Sequence, residues 1–144
     1  MNAQKKSRKK FDAVEEANAA LPLLRSILRD VTELACELRE RHERLARIPV
    51  AAGSGNNPYS EEVDEIQAEL ERGQEKMHEY EQELKNLHVE LKDYYTGLID
   101  FPAWMEDRAV YLCWRLGEPE VAHWHELDAG FAGRQKLADN PTVR

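Results

Sequence analysis

The densest group of side chains able to hold a metal lies in one stretch: Glu118, Glu120, His123, His125, Glu126 and Asp128. His123 and His125 stand two apart, so on a strand both project from one face. Two imidazoles so placed can chelate a divalent cation. Asp128 or Glu118 can complete a mixed histidine–carboxylate shell, with Asp100 reaching in from a neighbouring strand. Such a shell suits Zn²⁺, Mn²⁺ or Fe²⁺ and can activate a bound water. In the plainer alternative His125 bonds a backbone carbonyl or Asp128, and Glu118 and Glu120 are solvated turn residues.

Arg115 and Arg134 offer a second chemistry, since two guanidinium groups can clamp the carboxylate or phosphate of a small anionic ligand. Alternatively they neutralise internal acids, namely Asp100, Glu118 or Asp128. Cys113 shares the strand face of Arg115, with His125 within reach. A thiolate nucleophile is conceivable there, and a buried inert thiol is the simpler expectation. The sequence contains no phosphate-binding glycine loop, nucleophile elbow or zinc-protease helix signature.

These residues need a sheet to position them. Ala109 to Leu116 alternates, with Val110, Leu112, Trp114 and Leu116 on one face and Tyr111, Cys113 and Arg115 on the other. Residues 98–101 form a short strand ended by Pro102, residues 117–120 a turn, and residues 121–125 a final strand. The expectation is a small antiparallel meander across residues 91–137, with residues 138–144 loose.

The meander in turn needs a support. Leu21, Leu24, Leu28, Val31, Ala35, Leu38, His42 and Leu45 recur in steps of three and four, as do Val63, Ile66, Leu70, Gly73, Met77, Tyr80, Leu84, Leu87 and Leu91. The breaker-rich residues 49–59 separate them, and Ser60 offers an N-cap. This predicts an antiparallel, coiled-coil-like hairpin over residues 13–48 and 60–90. Folding about Ser54 sets Ala35 beside Gly73, Arg41 near Glu62 and Glu69, and Arg25 near Glu81. Gly73 then serves either close backbone approach at Ala35 or a notch for Trp104 or Trp124. His42 becomes a polar layer in the seam. Pro22 predicts a separate turn or kinked start over residues 13–20. Ala20, Leu23, Ile27 and Leu34 form a second apolar stripe, to be covered by the C-terminal segment or a second subunit. The fold class is therefore α+β, mainly α, in a single domain over residues 11–137.

Charge and composition narrow the function classes. The 144 residues carry a net charge of −8. Residues 1–10 hold five basic groups and no acid, a basic tail expected to be disordered, which leaves −13 on the rest. That balance opposes nucleic acid and anionic lipid. No apolar run approaches the roughly 18 residues of a membrane span. Two cysteines far apart suggest neither a disulfide framework nor a zinc cluster, so the cytoplasm is the expected compartment.

Several segments also resemble a known family. They are Phe11 with Glu15-Glu16-Ala17-Asn18-Ala19-Ala20-Leu21-Pro22-Leu23-Leu24, then Thr96-Gly97-Leu98-Ile99-Asp100-Phe101-Pro102, then Tyr111-Leu112-Cys113-Trp114-Arg115-Leu116-Gly117-Glu118-Pro119-Glu120, and the run from Trp124 to Gln135. Together they resemble an uncharacterised bacterial family, the domain of unknown function numbered 2203. The resemblance implies no activity. The family tends to have an aromatic residue at the position of His123 and a glycine near His88, so neither histidine is implied as a shared site residue.

The expectation ranked first is an interaction or scaffold module that self-associates as a homodimer or takes a protein partner through the hairpin. The alternatives are a divalent-metal protein or metal-dependent enzyme, and a binder of a small anionic ligand. None of these identifies a reaction.

Overall fold

The computed structural model describes residues 12–49, 58–137 and Val143. The expectations for the basic tail, for most of the interhelix loop and for residues 138–142 and 144 lie outside the described residues.

Helix α1 spans Ala13–Arg47. Asp12 caps it, its carboxylate accepting from the Val14 amide at 2.9 Å, and Glu15 and Glu16 sit at the positive end. Pro22 lies inside this helix, so the expected separate turn does not form. A proline in a helix interior costs about 3 kcal/mol. Leu21 and Leu24 beside it are buried, and each contributes ~1.5–3 kcal/mol, enough to hold the first turns in line.

Helix α2 spans Ser60–Asn86. Ser60 is its first helical residue rather than its cap, and the helix stops four residues short of position 90. The stop is a Schellman motif. The Val89 amide donates to the Leu84 carbonyl at 3.0 Å and the His88 amide to Lys85 at 2.9 Å. His88 takes a φ of 60° to close it, and Leu84 and Val89 are both buried. This left-handed position is where glycine is least strained. The heptad steps through Leu87 and Leu91 continue past the helix because the following strand feeds the same core.

The hairpin register falls close to the expected one. Arg41 meets Glu69 at 2.6 Å, and Arg44, rather than Arg41, meets Glu62 at 2.8 Å. Arg25 does not reach Glu81; it donates to the Pro119 carbonyl at 2.7 Å and lies over Trp114. A Cβ at Gly73 would fall 2.3 Å from Leu38 Cδ2, so the missing side chain makes room for Leu38 rather than for a tryptophan. Trp104 is exposed, and so is His42, which forms no seam layer.

Five antiparallel strands follow in meander order: β1 Glu90–Asp93, β2 Leu98–Met105, β3 Arg108–Arg115, β4 His123–Glu126 and β5 Gln135–Lys136. Strand β2 continues through Pro102 instead of ending before it. Strand β1 pairs with β2 only as far as Asp100, so at Pro102 that side of β2 is an edge where no amide hydrogen is needed. Glu106 and Asp107, with φ of 48° and 66°, form the tight turn into β3. Strand β4 begins two residues later than expected because the Val121 amide donates to the Asn18 side chain at 2.7 Å, tying that segment to α1. Val143 is not loose: it bridges to Met105, and its carbonyl accepts from Ala13.

One face of the sheet is apolar. Ile99, Phe101, Leu112, Trp114 and Trp124 join Leu24, Ile27, Leu28 and Val31 in a single core. Of the second stripe, Ile27 is buried and Ala20 and Leu34 pack against this core, while Leu23 stays 52% exposed. The opposite face of the sheet carries the chemistry.

Candidate functional site

On that face the strand register sets Asp100 opposite Cys113 and Cys113 opposite His123, with His125 opposite Tyr111. The His125 ring reaches diagonally across β3, so Nε2 lies 3.0 Å from each carboxylate oxygen of Asp100. Nδ1 donates to the carbonyl of Glu126 at 2.7 Å. The ligating atoms of Asp100, Cys113 and His125 all fall within 4.8 Å of one another, and all three residues are buried.

A carbonyl only accepts, so Nδ1 carries hydrogen and donates to Glu126. Nε2 is turned to the Asp100 carboxylate. Both ring nitrogens are thus engaged by partners other than the Cys113 thiol, unlike the histidine of a cysteine hydrolase. The thiol is itself pushed up to about 12, first by burial and then by the charge of Asp100. Arg134 Nη1, 3.9 Å from Sγ, acts in the opposite direction and is outweighed. A thiolate nucleophile is not what this site provides.

The other residues expected at a metal centre lie elsewhere. Glu118 and His123 both bond Arg134, on the far side of Cys113 from His125. Burial pushes the Glu118 carboxyl up, but Arg134 and the Arg115 amide hold it below the ordinary carboxylate value. Burial, then Arg134, push His123 down. Asp128 is exposed at the rim of a neighbouring cavity. The arginines do not form an open clamp. Arg134 is committed to Glu118, Arg115 is exposed at the end of β3, and both guanidinium groups lie against the Phe131 ring, at 4.6 and 4.8 Å. Of the two roles weighed for them, Arg134 takes up the neutralising one.

The cavity holds about 300 Å³. Asp100 and His125 form part of its wall, and Lys92, Leu98, Tyr111, Leu127 and Phe131 line the remainder with Asp128, Ala129 and Gly130. Tyr111 stands 5.5 Å from His125, centroid to centroid, and its hydroxyl donates to Glu90. Lys92 also meets Glu90, at 2.9 Å, and this contact is the largest influence holding that carboxyl below its ordinary value.

Cys113 is the member of this buried cluster that sequence reasoning left out of its candidate metal set. The alternation along β3 had placed it on the correct face. Its meeting with Asp100 depends on β2 running past Pro102, which a strand ended there does not reveal.

Residues 9–137 match a family described as uncharacterized conserved proteins, DUF2203. No curated protein and no solved structure matches the chain.

Proposed function

Since the chain belongs to that family, whose description carries no activity, we propose from the buried cluster that it binds a divalent transition metal through Asp100, Cys113 and His125. The observation that carries this reading is the convergence of an oxygen, a sulfur and a nitrogen ligand from three adjacent strands. The Nδ1–H bond to Glu126 supports it, because a ligating imidazole is commonly oriented by such a bond from its other nitrogen. Thiolate and imidazole together favour zinc over manganese, magnesium or calcium. Bonds of about 2.0–2.3 Å require only a small outward shift of Nε2 from the Asp100 oxygens. Binding would displace the proton of the Cys113 thiol. When bound, it supplies Lewis acidity and can lower the pKa of a coordinated water. Two unpaired cysteines suit a reducing compartment, so the cytoplasm is the proposed location; no described helix is long and apolar enough to cross a membrane.

Elemental analysis of protein purified without added metal tests this reading. Near-stoichiometric zinc is expected in the wild type and in Asp128→Asn, and little in Cys113→Ser or His125→Ala. Full metal content in folded His125→Ala would end the proposal.

Self-association remains a second reading, favoured by one feature. A groove of about 670 Å³ has Ala35, Leu38, Met77, Tyr94 and Tyr95 as its apolar lining, with Arg39, His42, Glu43, Gln74, His78 and Glu81 around them. A second copy of this chain seated there gives a dimer in sedimentation. A strict monomer at micromolar concentration rules that out.

A further inference from the structure

The three protein ligands do not surround the metal site evenly. Asp100 and His125 form part of the cavity wall, while Cys113 is fully buried and does not line the cavity. A metal held by these three groups would therefore have its remaining coordination position on the cavity side, the arrangement of an exchangeable rather than a closed structural centre. The same walls suggest an occupant. Its volume lies at the small end of ligand sites, which run from about 300 to 1,000 Å³. Leu98, Leu127 and the faces of Tyr111 and Phe131 offer apolar contact. Lys92 is the cation on the lining; its ammonium has three donors, and Glu90 is the carboxylate it meets.

Resting on the metal reading above, we propose that the open position takes a small monocarboxylate with an apolar body. One carboxylate oxygen bonds the metal as a water molecule leaves. The other accepts from Lys92, and the body lies between Tyr111, Leu127 and Phe131. Asp128 at the rim disfavours ligands carrying a second negative charge, which selects one acidic group over two.

Cobalt-substituted protein tests this, because its visible spectrum reports both thiolate ligation and coordination number. Phenylacetate is the probe, with acetate, benzyl alcohol and phenylmalonate as comparisons. The expected result is a thiolate-to-cobalt charge-transfer band, and a visible band that shifts saturably with phenylacetate at millimolar concentration or below. Acetate and phenylmalonate should each bind at least about tenfold more weakly, and benzyl alcohol should leave the spectrum unchanged. Lys92→Met should weaken phenylacetate about tenfold, the loss of one charge-assisted hydrogen bond, while keeping the charge-transfer band. Phe131→Ala should weaken phenylacetate but not acetate. A charge-transfer band with a spectrum indifferent to phenylacetate overturns this inference and leaves the metal reading standing. Equal binding of acetate and phenylacetate overturns the apolar body. Absence of any cobalt spectrum overturns both readings.

Discussion

In the metal-free protein Cys113 keeps its proton up to about pH 12, because burial and the charge of Asp100 both oppose a thiolate. The other thiol, Cys36, is partly exposed on α1. A chromogenic disulfide at pH 8 should therefore titrate one thiol in the native metal-free protein and two after unfolding; two rapid thiols in the native state would contradict the burial of Cys113. Zinc binding should release at least one proton, from the Cys113 thiol. Calorimetry in buffers of different ionisation enthalpy counts the protons released. Tyr94 gives a pH prediction away from the site. Its hydroxyl bonds Glu81, and first that bond, then burial, push the phenol up from 10.0 to about 12. Below pH 10 folded and unfolded states both hold this proton, so its stabilisation is fully present. Between 10 and 12 the unfolded state ionises first, and the stabilisation is lost as pH rises. Melting temperatures should fall more steeply across that window in the wild type than in Tyr94→Phe. The chemistry of His125 and Asp100 was legible as polar residues on strands. Cys113 was legible as a neighbour of His125 but not of Asp100, since a one-step difference in strand pairing decides which side chains meet.

At the scale of elements, single residues decide where α2 ends and how closely the helices pack. His88 closes α2 with a φ of 60°. A non-glycine residue in that conformation costs roughly 1–2 kcal/mol, so His88→Gly should raise stability by about 1 kcal/mol in denaturant unfolding. Unchanged or lowered stability would mean that the His88 side chain contributes more than its strain removes. Gly73 is the milder case. A Cβ there falls 2.3 Å from the Cδ2 methyl of Leu38, the end of a flexible, half-buried side chain that can turn aside, so Gly73→Ala should change stability by less than about 1 kcal/mol, its better helix propensity offset by the repacking of Leu38. The heptad seams made the helices and their approximate register readable. The partner of Gly73 was not readable, because pairing by position sums ignores where the side chains point across the crossing helices. Pro102 misled for a related reason: its effect depends on whether the strand beside it has already ended.

For the whole molecule, the division of labour between the two layers is the main structural result. The apolar face of the sheet shares one core with α1, so the polar face is left to be covered by the chain following β4. Arg134 fastens that chain to Glu118 and His123. The hairpin was visible from periodicity and the meander from alternation. What could not be seen was that loop and sheet enclose buried acid, thiol and imidazole groups, because that depends on the path of an irregular segment. The claim on which this account turns is that the enclosed cluster is a metal centre with a single sulfur ligand. X-ray absorption at the zinc edge of the loaded protein measures this directly. The account predicts one sulfur at about 2.3 Å and nitrogen or oxygen ligands near 2.0–2.2 Å, with the sulfur contribution lost in Cys113→Ser. A shell of nitrogen and oxygen alone in the wild type, or a spectrum unchanged by that substitution, would contradict it.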